Sequence, residues 1–160
     1  MDGSLPGSSF SVRVAREQDF DAVGALLAEL GGGRPALPDV GPARDAVRRV
    51  FERHLARHAA RQGLCLVAER EGRAIGFLSA DVRERLNQAT PEVWIADLIV
   101  AERARSGGVG KALLTRAVAF AAEIGAHRVS LESGHWRKDA HRFYRREGWE
   151  DVALHFSRRP

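Results

Sequence analysis

Phe10, Val12 and Val14 alternate with Ser11 and Arg13, the period of a half-buried strand. From Gln18 to Leu30 the apolar positions Phe20, Val23, Leu26, Leu27 and Leu30 fall at helical spacing, with Asp19 placed to cap. Gly31 to Gly33 end that helix. The stretch through Pro42 holds three Pro and four Gly, which predicts a mobile loop. Helical period returns over Ala43 to Arg61 through Val47, Val50, Phe51 and Leu55. Leu64 to Ala68 and Ala74 to Val82 read as paired strands, turned by Arg70-Glu71-Gly72-Arg73. Val93 to Val100 is a third apolar run in this half, and Arg103 to Gly110 is basic and glycine-rich. Val109 to Ile124 is a strong helix pattern closed by Gly125. His127 to Glu132 predicts a strand, Asp139 to Glu147 a short helix ended by Gly148, and Trp149 to Phe156 a last strand. The order β-α-α-β-β-β-α-β-α-β points to an α/β sheet covered on both faces.

Met1 to Ser9, polar and rich in Gly, Ser and Pro, predicts a flexible lead-in, and residues 10–157 a single domain. The 160 residues are 44% hydrophobic and 29% charged, which argues against disorder. The net charge is +4, and only Lys111 and Lys138 among its cations are not Arg. That excess permits an anionic ligand and is too small to argue for nucleic acid. One cysteine, Cys65, excludes a disulfide framework and a multi-Cys zinc site, and the six His lack metal spacing. No apolar run is long enough to span a membrane and no apolar signal core is present, so no membrane association, no metal and a reducing, cytoplasmic setting are expected.

The most informative stretch runs from Trp94 through Val100 into Arg105-Ser106-Gly107-Gly108-Val109-Gly110-Lys111-Ala112. A strand, a glycine loop and a helix start in that order bring backbone N–H groups and the positive end of a helix dipole onto an anion. Arg105 and Lys111 reinforce the sign. A Walker A loop would need Gly at Arg105 and Ser or Thr at Ala112. A dinucleotide fingerprint would need Gly or Ala at Leu113. Neither fits.

What remains, Arg105-x-x-Gly108-x-Gly110-x-Ala112, resembles the acetyl-CoA pyrophosphate loop of the GCN5-related N-acetyltransferase (GNAT) family. Ala140-x-x-Phe143-Tyr144-x-x-x-Gly148-Trp149 is similar to that family's C-terminal motif, in the family's order and at about its spacing. The resemblance implies a mixed central α/β sheet of six or seven strands flanked by about four helices, with strands 4 and 5 splayed. The stretch from Ser133 to Tyr144 looks closer to a subgroup of small-molecule acetyltransferases that includes aminoglycoside and aminoalkylphosphonate types. Acetyl-CoA would be the co-substrate, a small amine the acceptor, and a homodimer the usual assembly.

Residue by residue, the resemblance gives cofactor contacts to Leu98, Ile99 and Val100 through the strand backbone, and to the loop Arg105, Ser106, Gly107, Gly108, Val109, Gly110 and Lys111. Arg137 stands where many members carry a cofactor-contacting Asn, and suits a phosphate. Tyr144, the only tyrosine, takes the role of general acid toward the CoA sulfur. Transfer from a phenol to a thiolate is uphill by about 2 kcal/mol in water, within reach of a positioned hydrogen bond. Asp97, a carboxylate inside an apolar strand, and Glu132, at the end of the next one, are alternative bases. His135 and Trp136 are candidates for the substrate wall. Acceptor selectivity is expected from Gly31 to Pro42 and Arg83 to Pro91, where Asp39, Asp45, Asp81 and Glu84 are acids able to meet a cation. Protein or peptide N-terminal acetylation and a non-catalytic CoA-binding regulatory module are the competing functions.

Overall fold

The computed structural model describes residues 9–29 and 41–160. Most of the expected lead-in, the end of the first helix at Leu30 and the loop positions 31–40, Asp39 included, lie outside the described residues. The chain forms two compact units, Met1–Ser130 and Leu131–Pro160.

The first unit is built on β1 (Ser11–Val14), α1 (Phe20–Ala28), α2 (Pro42–Ala59), β2 (Gly63–Arg70), β3 (Arg73–Arg83), β4 (Glu92–Val100), α3 (Val109–Glu123) and β5 (Arg128–Leu131), whose last residue opens the second unit. The strands lie in the order β1-β2-β3-β4-β5, and the ladders from β1 to β4 are antiparallel. The β2–β3 turn has Glu71 and Gly72 both at positive φ, the two-residue hairpin geometry that matches strand twist. Asp19 does not cap α1 through its side chain. Its carboxylate accepts instead from the Arg16 backbone N–H and from Arg13, which also reaches Glu69 on β2.

Side chains divide by strand parity between two helical layers. Gly76 faces α3, where a Cβ on it would meet Val109 and Leu113. Phe77, one residue on, faces the other way and joins Phe51 of α2 and Phe20 of α1 in a chain of tilted rings. Leu66, Leu78, Leu113 and Val109 are fully buried on the α3 side. Burying a side chain of this kind contributes roughly 1.5–3 kcal/mol.

β4 is interrupted. Ala80 of β3 pairs with Ile95, but Ser79 pairs with Asp97, so Ala96 is an extra residue in the ladder, a β-bulge. Simple alternation from Ile95 would put Asp97 on the α3 face. The bulge puts it opposite Ser79, on the α1–α2 face.

The second unit holds α4 (Lys138–Arg146) and a C-terminal segment with no strand. The expected strand Trp149–Phe156 is therefore not formed, and among the described residues the sheet has five strands, not six or seven. Val152, Leu154 and Phe156 are 73%, 72% and 84% exposed. Alternation prepares a segment to be a strand, but only a ladder partner makes it one. α4 is the one regular element lying wholly within this unit.

Candidate functional site

Ten of the expected cofactor positions lie on the end of β4 and on the loop and helix start that follow it. β4 ends at Val100, a one-turn 3₁₀ helix spans Glu102–Ala104, and α3 begins at Val109. Between them Ser106 has φ 64° and Gly108, the N-cap, has φ 80°. A Cβ on Gly108 would meet nothing within 4 Å, so glycine is needed there for its left-handed backbone rather than for space. Gly108 offers no side chain to cap the helix, and the first-turn N–H groups of α3 depend on another acceptor. Arg105, Ser106, Gly107 and Gly108 are exposed and Gly110 is half-buried. Arg105 Nε donates to the Val100 carbonyl at 3.4 Å, which ties the loop to the strand end.

One cation at this loop escaped the motif reading. Arg70, the last residue of β2, brings its guanidinium within 3.7 Å of where a Cβ on Gly107 would stand. Its Nε is shut off from solvent without a hydrogen-bond partner among the described residues. No local pattern marks Arg70; only the pairing of β2, β3 and β4 carries the hairpin end to the loop.

β5 is short. Its four residues span about 13 Å against about 30 Å for the nine of β4. It meets β4 at the N-terminal end: His127 N–H donates to the Pro91 carbonyl, and Arg128 and Ser130 bond the buried Glu92. Burial pushes the Glu92 carboxyl up, but the Ser130 hydroxyl and Arg128 outweigh it and hold it below the ordinary range. Asp97 to Val100 run on past this anchored stretch.

On the α1–α2 face, Asp97 Oδ2 accepts from the buried Ser79 hydroxyl at 2.7 Å. Asp97 also lines a cavity of about 60 Å³ with Phe20, Val23, Phe51, Phe77 and His54. His54 of α2 was missed in the sequence, although it continues the buried face of Val47 and Phe51 at helical spacing. Its Nδ1 has no hydrogen-bond partner among the described residues and lies 3.7 Å from Asp81 Oδ1. Burial pulls its pKa below that of an ordinary histidine, against the opposing pull of Asp81. Asp81 itself accepts from Arg57 at 2.8 Å. Asp45 and Glu84 are exposed.

In the second unit Arg137 is the N-cap of α4 and Tyr144 lies on that helix, half-buried between Phe143 and Trp149. Burial pushes the Tyr144 hydroxyl up, and Arg137 pulls it partly back. Glu132 is exposed and pairs with His155 at 3.2 Å. His135 is exposed, and Trp136, 69% exposed, folds its ring over Gly134. No group of ligating side chains able to hold a metal occurs among the described residues. No described helix is long and apolar enough to cross a membrane.

A strand, a glycine loop and a helix N-terminus in this order, inside a mixed sheet of five strands among the described residues, make the anion-receiving arrangement of an α/β fold. Residues 35–149 match the acetyltransferase (GNAT) family, and the chain belongs to that family of N-acetyltransferases. Over 147 residues, 92% of this chain and 89% of the relative, it is 31% identical to an aminoalkylphosphonate N-acetyltransferase of Salmonella typhimurium. A shorter stretch of 52 residues is 54% identical to the uncharacterized N-acetyltransferase YhdJ of Bacillus subtilis, covering 32% of this chain and 37% of that one. Among solved structures, the aminoglycoside N-acetyltransferase AAC(6')-Iy in complex with CoA superposes with a TM-score of 0.77 at 21% identity, covering 98% of this chain and 99% of that one. Glucosamine-6-phosphate N-acetyltransferase from Arabidopsis thaliana gives 0.75 at 20% identity, with 94% and 97% covered. Members of the family use acetyl-CoA.

Proposed function

We propose that residues 10–157 act as one catalytic domain that moves an acetyl group from acetyl-CoA to a primary amine of a small molecule, by direct attack on the thioester. The observation that carries this is the uncapped N-terminus of α3 behind Gly108, set at the end of a bulged β4 that outruns its neighbour. The aminoalkylphosphonate relative supports a small-molecule acceptor over a protein one.

In this reading the residues from Arg105 to Lys111 receive the pyrophosphate on backbone N–H groups and the helix dipole, with Arg105 adding charge. Leu98, Ile99 and Val100 offer backbone groups to the pantetheine arm, and a backbone N–H near Val100 polarises the thioester carbonyl as negative charge develops on it. Of the two candidate carboxylates Asp97 is favoured, because it lines a cavity between the first helix pair and the sheet, whereas Glu132 is exposed and paired with His155. Asp97 holds the ammonium and supplies the carboxylate side of its deprotonation. Tyr144 keeps its proton well above neutral pH and serves as acid toward the leaving thiolate. Arg137 serves a phosphate, and His135 and Trp136 form part of the acceptor wall. The setting is cytoplasmic, and the assembly a homodimer.

The test is a panel of amines, including 2-aminoethylphosphonate, glucosamine and a peptide N-terminus, assayed with acetyl-CoA by thiol release. At least one small amine of the panel should turn over and the peptide should not. Tyr144→Phe should lower kcat at least tenfold with CoA affinity kept. Absence of both turnover and CoA binding overturns the proposal; CoA binding without turnover on any amine favours the regulatory module.

A further inference from the structure

The cavity that Asp97 lines carries two polar groups in an otherwise apolar wall. Phe20, Val23, Gly24 and Leu27 come from α1, Val47, Val50 and Phe51 from α2, and Phe77 from β3. Against these stand only Asp97 and the His54 imidazole among the described lining residues. His54 is 9% exposed, and its Nδ1 is sealed from solvent with no hydrogen-bond partner among the described residues. A buried polar atom left without a partner costs about 1–3 kcal/mol, so a structural role alone accounts poorly for histidine at this position. A leucine there would fill the same helix face without that cost.

The surroundings suit a histidine that gains a charge only transiently. Asp81 on β3 lies 3.7 Å from Nδ1, just too far to bond the neutral ring and close enough to bond an imidazolium after a small closure. Asp97 on β4 also favours the charged ring, while Arg57 and Arg53 on α2 oppose it. α1 brings no titratable group to the cavity. Burial is the largest influence and holds the resting imidazole neutral below the usual histidine range. A neutral imidazole beside a carboxylate is a proton acceptor in waiting.

Resting on the N-acetyltransferase reading above, we propose that this cavity selects a primary amine carried on a short apolar carbon chain, that Asp97 holds its ammonium group, and that His54 accepts the proton that frees the amine for attack. The ammonium gives one proton to His54, whose Nδ1–H then turns to Asp81. The amine nitrogen forms its bond to the thioester carbon, and the carbon–sulfur bond breaks. Tyr144 gives its proton to the CoA sulfur, the second proton leaves nitrogen and restores the phenol, and His54 returns the first to solvent. The products are the N-alkyl amide, CoA thiol and one proton. The volume of about 60 Å³ is room for roughly four to six water-sized spheres, which a three- or four-carbon chain fills and a hydroxylated sugar ring does not. A sugar would also leave its hydroxyls facing Phe20, Phe51 and Phe77 without partners.

The full-length protein is assayed with acetyl-CoA and n-butylamine or glucosamine as probes, over pH 5 to 9, with CoA binding measured separately. kcat/KM for n-butylamine is expected to exceed that for glucosamine at least tenfold. Its acidic limb should lie below pH 6.5, the ordinary histidine value. His54→Gln should lower kcat at least tenfold and abolish that limb while the KM for acetyl-CoA stays put; Asp97→Asn should act mainly on the amine KM. Equal or better turnover of glucosamine, or turnover of neither probe while other amines of the panel react, overturns the inference and leaves the N-acetyltransferase reading standing. So does an acidic limb that survives His54→Gln. Loss of CoA binding and of all amine turnover in the native protein sinks the underlying reading instead. Should His54→Gln not fold, the probe preference and the wild-type limb decide the matter.

Discussion

Replacing Gly76 by alanine tests whether the contact between β3 and α3 positions the cofactor loop. A Cβ on Gly76 would stand 2.8 Å from Val109 Cγ1, 3.2 Å from Leu113 Cδ1 and 3.3 Å from Ala68 Cβ. Comfortable carbon contacts begin near 3.5 Å, so relief of roughly 0.7 Å is needed at the closest of these. Val109 cannot easily swing away, because a β-branched side chain in a helix has one strongly preferred rotamer. The first turn of α3 must lift instead. Overpacking of this kind costs about 1–3 kcal/mol, partly offset by the stiffer unfolded chain that alanine brings. At about 2–4 °C per kcal/mol for a chain of this size, Tm should fall by about 2–8 °C. Val109 directly follows the N-cap Gly108. A lift of this size exceeds the roughly 0.5 Å tolerance of a preorganised site, and CoA affinity should weaken about three- to tenfold. Thermal melting followed by circular dichroism and titration calorimetry with CoA measure both. Adding Val109→Ala to Gly76→Ala removes the closest clash and should restore part of the Tm beyond the sum of the single changes. An unchanged Tm and CoA affinity in Gly76→Ala, or no coupling in the double variant, would refute the packing argument.

Three further predictions follow from the same geometry. Deleting Ala96 keeps the Ile95–Ala80 and Asp97–Ser79 pairs but straightens β4, and should leave the circular dichroism spectrum intact while cutting kcat/KM at least tenfold; full activity would show that the bulge is idle. Because the Glu92 carboxyl is held below its ordinary range, the stability it contributes is complete above about pH 4.3 and is lost as pH falls through the lowered value. Glu92→Gln should therefore lower Tm at pH 7 and flatten the fall in Tm below pH 4.3, and an equally steep fall in the variant would remove Glu92 from the account. Arg70→Ala should weaken CoA binding and make the remaining affinity less salt-dependent, with melting temperature nearly unchanged; an unaltered salt slope would place Arg70 outside the phosphate field.

Elements whose signal is local were legible in the sequence. The Glu71-Gly72 turn, the α3 stripe and the glycine loop each follow from a few neighbouring residues, and each appears where the pattern put it. What was not legible depends on long-range partners. The alternation over Trp149–Phe156 is real, but with no ladder in its own unit the segment forms no strand, and residues 150–156 are exposed. Asp97 drew attention as a charge in an apolar strand, yet the face it occupies is decided by the bulge at Ala96, which only the pairing with β3 discloses. His54 could have been found. It stands three residues after Phe51 and seven after Val47, on a face otherwise written in apolar residues. The cation beside the loop, Arg70, was out of reach, because its distance from Gly107 in sequence hides their contact.

The bulge has a consequence for how this chain can change. It splits β4 into two stretches that answer to different neighbours. Glu92 ties β5 to the sheet through Arg128 and Ser130, whereas Asp97 lines the cavity and the Val100 carbonyl accepts from Arg105 of the loop. Ala96 absorbs the mismatch between them, so adjustments in one stretch need not be relayed to the other. Random libraries over 97, 98 and 100, sparing the buried Ile99, should then yield folded proteins with altered acceptor range, while libraries over 92–95 should yield mostly unfolded ones. A strand that is continuous in sequence is thereby modular in heredity: its scaffold half can be kept while its chemical half is rewritten.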